Sequence, residues 1–218
     1  MKLYPINLDV GGKRCAVVGG GNVALRKIRT LSEAGACVEV IAPEICAQVA
    51  ELVERGEISL RREKFSADML GDELLIIAAT DNPEVNRHVA QVARSKKILV
   101  NVVNGSGGDF FVPSSIRRGE LLLTVSTGAN SPAFAKFLRL MLEAELDENF
   151  GAGLELVARY RQEVKRRLPN SQARQIFWQR ILTQETWQLL RSGQLGALEE
   201  RINHALENFG AQSHDGTD

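Results

Sequence analysis

The sequence has little that would hold a fold together from outside its core. It has three cysteines in 218 residues, Cys15, Cys37 and Cys46, and no CxxC pair. That spacing excludes a disulfide framework and a paired-thiol metal clasp, and leaves buried, reduced thiols of a cytosolic protein as the expectation. Histidine is sparse as well: His88 and His204 fall in helical patterns and His214 in the C-terminal tail, with no HxxxH or Cys/His spacing. No metal site is expected from such a set. Charge of one sign is not in excess, since Lys+Arg and Asp+Glu both count 27, with 14 of each before Pro113 and 13 of each after it. A nucleic-acid domain usually shows a basic excess, so general polyanion binding is disfavoured. No stretch approaches the ~20 apolar residues of a membrane span. Asp9, Lys13 and Arg14 also interrupt the N-terminal region where a signal sequence would need its apolar segment. A soluble, cytoplasmic chain follows as the expectation.

With 44% hydrophobic and 25% charged residues, the chain has the composition of an ordered globular protein, and only Gly210 to Asp218 reads as a flexible tail. From Lys13 to Val103 short apolar runs alternate with longer amphipathic stretches. Arg14 to Val18, Cys37 to Ala42, Leu74 to Ala79 and Ile98 to Val103 read as strands, and Val23 to Ala34, Glu44 to Arg55 and Pro83 to Ser95 as helices. Asn82 followed by Pro83 is a capping side chain before a proline at the first helical position. Crossovers of this kind predict a Rossmann-like, doubly wound parallel sheet over residues 1–113.

The pattern then changes. Phe110 to Pro113 and Leu121 to Ser126 read as strands around a turn-like Ser114 to Gly119, and Ser131-Pro132 opens a helix carrying Phe134, Phe137, Leu138, Met141 and Leu142 on one face. So small an α+β unit cannot bury its own apolar face, so residues 114–148 are expected to form a dimerisation arm. Residues 149–209 read as a helical domain, in segments near Gly153 to Leu168, Ser171 to Leu182, Glu185 to Arg191 and Leu195 to Phe209. Within it Arg159, Arg161, Lys165, Arg166, Arg167, Arg174 and Arg180 face a single acid, Glu163. That run is either a solvated helix face or a collar for a ligand rich in carboxylates.

The chemistry-bearing motif is Gly19-x-Gly21-x-x-Ala24, which ends a predicted strand and opens a predicted helix. Gly19 allows the tight turn, Gly21 lets the backbone approach a pyrophosphate, and Ala24 permits close helix-to-strand packing. Asn22 and Val23 then open a helix whose N-terminus offers amide donors. The competing reading, a structural glycine turn, is less favoured in this strand-turn-helix setting. At the end of the next strand stand Ala42, Pro43 and Glu44, where an acid often binds the adenosine ribose. Ala42 is not acidic, Glu44 is within reach, and no adjacent arginine would pair with a 2′-phosphate, so NAD is expected rather than NADP. Later strand ends carry Thr80 with Asp81-Asn82, and Asn101-Val102-Val103-Asn104. These polar residues are either binding groups at the cofactor edge or ordinary turn formers.

Taken together, Gly19-Gly20-Gly21-Asn22-Val23-Ala24-Leu25-Arg26-Lys27, Glu33-Ala34-Gly35-Ala36, Ala78-Ala79-Thr80-Asp81, Val100-Asn101-Val102-Val103, Phe111-Val112-Pro113 and Ser126-Thr127-Gly128-Ala129-Asn130-Ser131-Pro132 resemble the precorrin-2 dehydrogenase and sirohydrochlorin ferrochelatase family. That module is found at the N-terminus of fused siroheme synthases and as free-standing proteins. The resemblance runs from Pro5 to about Trp178 and fades beyond it. It implies NAD-dependent oxidation of precorrin-2 to sirohydrochlorin, iron insertion as a second activity in some members, and a homodimer. It also implies cofactor contacts at Gly19, Gly21, Asn22, Val23, Ala42, Pro43, Glu44, Thr80 and Val102, and substrate contacts at Asn101, Asn104, Ser126, Thr127 and Ser131. Where the family commonly has an aspartate implicated in the chemistry this chain has Asn104, whose amide cannot act as a general base. Asp109 is then the substitute candidate, and catalytic roles are expected at Asn104 and Asp109. Thr127 stands where some fused relatives have a serine that can be phosphorylated, and no modification is inferred from it. The alternatives are a bifunctional enzyme that also inserts Fe2+, and a non-catalytic nucleotide- or tetrapyrrole-binding protein.

Overall fold

The computed structural model describes residues 3–103 and 107–209, with the side chain of residue 209 left aside. Asn104 and the 210–218 tail lie outside the described residues. The chain divides into two compact units, 1–112 and 113–218.

In the first unit, β1 (Arg14–Val18), β2 (Cys37–Ile41), β3 (Ser59–Arg61), β4 (Leu75–Ala78) and β5 (Leu99–Val102) form one sheet in the order β3-β2-β1-β4-β5. Every neighbouring pair is parallel. The strands are near-continuous apolar runs because a parallel sheet is covered on both faces. Helices α1 (Asn22–Glu33), α2 (Ala47–Glu54) and α3 (Pro83–Ser95) supply the crossovers. Successive residues of β1 enter opposite cores: Cys15 and Val17 join α1 residues Ala24, Leu25 and Ile28 on one face, while Ala16 and Val18 join α3 residues Val89 and Ala93 on the other. The doubly wound expectation is met. β3 is an addition: its three residues bury no side chain fully, so no apolar run marks it in the sequence. Among the thiols only Cys15 is buried, while Cys37 is exposed and Cys46 half-buried. Cys37 begins β2 at the rim, before the strand enters the core.

In the second unit, β6 (Ser114–Arg118) and β7 (Leu121–Val125) form an antiparallel hairpin. The strand therefore lies at Ser114–Arg118, where a turn is expected, and not at 110–113. The reversal is made at Gly119-Glu120, with Gly119 at φ +55°, a conformation glycine adopts without a Cβ clash. Ile116 alone of β6 is fully buried, which is why the segment resembles a loop. Helices α4 (Pro132–Glu145), α5 (Glu148–Arg167), α6 (Ser171–Ile181), α7 (Gln184–Arg191) and α8 (Leu195–Phe209) follow. Helix α5 begins a turn before the expected Gly153, because the Asp147 side chain accepts the Asn149 amide as its N-cap. Leu156, Val164, Phe177, Ile181, Leu198, Ile202 and Leu206 make the helical core.

Candidate functional site

The chain leaves β1 toward β2 and β3 on one side and reaches β4 and β5 on the other, so the winding reverses between β1 and β4. In open α/β sheets, ligands bind at the strand carboxyl ends beside such a reversal. A cavity of about 1120 Å³ lies there, lined by the 19–23 turn, the 42–46 segment, Lys64, Phe65 and the 79–82 segment among others.

Each glycine of the turn meets a different neighbour. At Gly19 φ is +125°, and a Cβ would stand 2.4 Å from the Ala79 carbonyl oxygen. The Gly19 amide donates to the Ile41 carbonyl at 3.0 Å, which ties the turn to β2. At Gly20 a Cβ would meet the Glu44 carbonyl oxygen at 2.2 Å, and the Gly20 carbonyl accepts the Cys46 amide at 2.8 Å. Gly21 differs: a Cβ there would meet nothing within 4 Å. It is the N-cap of α1, and no side chain caps that helix, whose first turn holds no acid. The opening amides of α1 thus have neither an intrahelical partner nor a capping side chain, the arrangement that receives a phosphate at a helix N-terminus. Helix α3, which opens on the same cavity, is closed to such a ligand: Asn82 Oδ1 accepts the Glu84 amide at 2.8 Å, and Glu84 adds negative charge. Ala24 is fully buried against the sheet.

Thr80 is held by a residue the sequence reading passes over. Asn86, buried in α3, accepts the Thr80 amide at 3.1 Å and the Thr80 hydroxyl at 2.8 Å, and donates to the Thr80 carbonyl at 3.0 Å. A polar residue inside an amphipathic helix face is the signal that could have revealed it. Ala42, Pro43 and Glu44 line the cavity, joined by Lys64 and by Phe65, whose ring meets His88 edge-on at 5.7 Å. Val103 lines the cavity, whereas Val102 packs into the α3-side core.

The other expected residues are engaged elsewhere. Asn101 is buried and its side chain donates to the Phe110 carbonyl at 2.8 Å. Asp109 Oδ2 accepts the Val100 amide at 3.1 Å and Oδ1 accepts from Arg94 Nε at 3.3 Å. Its carboxylate thus secures the chain returning along β5. Ser126, Thr127 and Ser131 belong to the second unit and bond mainly among themselves. The Thr127 hydroxyl donates to the Ser131 carbonyl at 3.0 Å, Ser126 Oγ accepts the Gly128 amide at 3.3 Å, and Ser131 Oγ caps α4 through the Phe134 amide at 3.1 Å. In the basic run, Glu163 takes both Arg166 and Arg167, and their hydrogen bonds hold its carboxyl down at about 2. Among the described residues no group of three or more His, Cys, Asp or Glu could hold a metal ion, and no helix is long and apolar enough to cross a membrane.

A family model described as "Putative NAD(P)-binding" matches residues 6–114, and one described as the sirohaem synthase dimerisation region matches residues 149–206. The chain belongs to the NAD(P)-binding family of the first model. It is 37% identical over 208 residues to siroheme synthase from Nitrosococcus oceani, covering 95% of this chain and 44% of that one. It is 41% identical over 208 residues to siroheme synthase from Methylococcus capsulatus, with the same coverage of 95% and 44%. The chain thus spans less than half the length of the siroheme synthases it matches. Among solved structures, "SirC, precorrin-2 dehydrogenase" aligns with a TM-score of 0.77 at 25% identity, covering 94% of this chain and 100% of that one. The likeness to the siroheme synthases therefore continues to about residue 206, past Trp178, where the resemblance read from the sequence fades. The cofactor type that goes with the NAD(P)-binding family is a nicotinamide dinucleotide.

Proposed function

We propose that this chain is an NAD-dependent precorrin-2 dehydrogenase that converts precorrin-2 to sirohydrochlorin, acting as a soluble cytoplasmic homodimer. The observation that carries the reading is the uncapped N-terminus of α1 behind Gly21, where a Cβ would meet nothing within 4 Å. The name of the structural neighbour, precorrin-2 dehydrogenase, supports the substrate. When bound, NAD+ supplies the hydride acceptor, so that precorrin-2 loses a hydride and a proton to give sirohydrochlorin and NADH.

In this reading Gly19 and Gly21 with the amides of Asn22 and Val23 hold the pyrophosphate. Ala42, Pro43 and Glu44 flank the adenosine ribose, and the Glu44 carboxylate favours a ribose hydroxyl over a 2′-phosphate. Thr80, fixed by Asn86, lines the cavity. Asp109 is assigned a positioning role on β5, because both its oxygens are already engaged. Asn104 is assigned to substrate contact, where an amide can donate and accept without removing a proton. Ser126, Thr127 and Ser131 shape the substrate-facing loop before α4. The chain's contribution to rate is orientation, which needs no charged base on the protein, and the released proton goes to solvent. Phe134, Phe137 and Met141, each 53% exposed on α4, form the face through which residues 114–148 would pair with a second copy; the region named for dimerisation, 149–206, adjoins them.

The test is anaerobic turnover of precorrin-2 with NAD+ or NADP+, following NADH absorbance and the sirohydrochlorin spectrum together. Turnover that prefers NAD+ is expected. A parallel arm offers Co2+ to sirohydrochlorin, where insertion no faster than background is expected. Absence of any NADH formation by folded, cofactor-binding protein would refute the enzymatic reading in favour of a binding protein.

A further inference from the structure

The cleft between α5 and α6 is built like a binding site, and it draws three of its cations from the basic run. It encloses about 580 Å³ and is bordered by Arg161 and Lys165 from α5 and by Ser171, Arg174, Gln175 and Trp178 from α6. Arg161 and Lys165 stand one turn apart, so their side chains share a face. Neither forms an ion pair among the described residues, because Glu163, the one acid nearby in sequence, is taken by Arg166 and Arg167. Across the cleft, Arg174 Nη1 donates to the carbonyls of Leu168 and Pro169. Those bonds hold the guanidinium at the α5–α6 corner and leave its Nε and Nη2 as further donors. Trp178 is half-buried, and its ring is fixed edge-on to the fully buried Phe177 at 5.1 Å and 78°. Three cations thus line the same cleft as the Trp178 indole.

We propose that this cleft binds a planar polycarboxylate, its acid groups paired with Arg161, Lys165 and Arg174 and its ring system lying against Trp178. Naming the tetrapyrroles of the dehydrogenase reaction as the natural ligand rests on the function proposed above; the chemistry of the cleft does not. Arginine pairs well with carboxylates through two parallel hydrogen bonds, and an aromatic wall suits a flat conjugated body. A nucleic acid is not favoured, since the cleft is small and concave and the chain has no net basic excess.

The experiment uses uroporphyrin, a planar octacarboxylate, as the probe. Equilibrium dialysis against the full chain measures binding, and quenching of the remaining tryptophan in a Trp187→Phe background reports occupancy beside Trp178. Saturable binding that weakens with salt is expected. In Arg161→Gln/Lys165→Gln the affinity falls about tenfold or more, whereas Lys13→Gln/Arg29→Gln, which removes the same charge from exposed positions in the other unit, leaves it unchanged. Both pairs are exposed, so folding is preserved, and the NAD+ affinity of each variant is measured in parallel. Uroporphyrin affinity unaffected by Arg161→Gln/Lys165→Gln would overturn the proposal, as would inorganic pyrophosphate competing as strongly as uroporphyrin. Loss of turnover with the cleft intact would instead count against the dehydrogenase reading alone.

Discussion

Two adjacent glycines should fail in opposite ways. Replacing Gly20 with alanine places a methyl group 2.2 Å from the Glu44 carbonyl oxygen and 2.8 Å from the Ile45 Cα. Both obstacles are backbone, so the turn or the 44–46 segment must move, an overpacking cost of about 1–3 kcal/mol. In a chain of this size each kcal/mol moves Tm by roughly 2–4 °C, so Gly20→Ala should melt roughly 2–12 °C early without ligand. Replacing Gly21 with aspartate meets no protein atom at Cβ, and the backbone there, φ −85° and ψ −175°, suits any residue. Aspartate is also a preferred N-cap, so the unliganded Tm should hold or rise slightly. The new carboxylate, however, occupies the place proposed for a pyrophosphate and satisfies the amides meant for it. Saturating NAD+ at 100 times Kd stabilises the wild type by about 2.7 kcal/mol, a shift of roughly 5–10 °C, and that shift should vanish in Gly21→Asp. Differential scanning fluorimetry with and without NAD+, backed by calorimetry, reads both effects. A folded Gly21→Asp protein with unchanged NAD+ affinity would refute the placement of the cofactor, and a Gly20→Ala protein as stable as wild type would refute the reading of the turn.

Asn86→Leu removes three hydrogen bonds to Thr80 at nearly constant volume, leaving the Thr80 amide unsatisfied at a cost of about 1–3 kcal/mol. It should lower the urea midpoint and raise KM for NAD+, and Asn86→Asp, which keeps the acceptor, should do less. Burial, with Cys37 adding to it, pushes the Cys15 thiol up from 9.0 to about 11. Above pH 9 the unfolded chain gives up this proton before the folded one does. Stability should therefore fall as pH rises from 9 toward 11, by up to about 2–3 kcal/mol from this group, and urea melts at pH 8.5 and 10.5 should show a shallower loss in Cys15→Ala. Light scattering should report twice the chain mass for wild type, and Phe134→Ser/Phe137→Ser should move it toward the monomer while circular dichroism stays the same.

The parts of this molecule that are written locally were readable in advance. Gly19-x-Gly21-x-x-Ala24 declares a turn because the steric need for each small residue arises within one strand-turn-helix, and Asn82-Pro83 and Ser131-Pro132 name their helix starts through caps seen in the structure. What escaped was written between distant residues. Gly20 is the most confined of the three glycines, yet its constraint comes from Glu44, on the segment after β2. Strand β3 is three residues recruited by pairing with β2, and β6 offers one fully buried side chain. The 110–113 stretch looks more like a strand than β6 does, but Phe111 and Val112 are exposed and its bonds run to β5 through Asn101. Asp109 reads from the sequence as a substitute catalytic acid, and only the fold shows both oxygens in use.

That use of Asp109 bears on how the molecule stays out of amyloid-like association. A five-stranded open sheet has two rims, each a template on which a foreign strand could anneal. Along β5 the Val100 amide is already taken by the Asp109 carboxylate and the Val100 carbonyl by the Asp109 amide. Gly108 lies so near that a Cβ there would be 3.2 Å from the Val100 carbonyl oxygen. Along β3 the opposite rim is only three residues long and ends in Arg61, paired with Glu39. With one rim blocked at Val100 by its own chain and the other brief and charged, the described sheet leaves newly made copies little edge on which to polymerise.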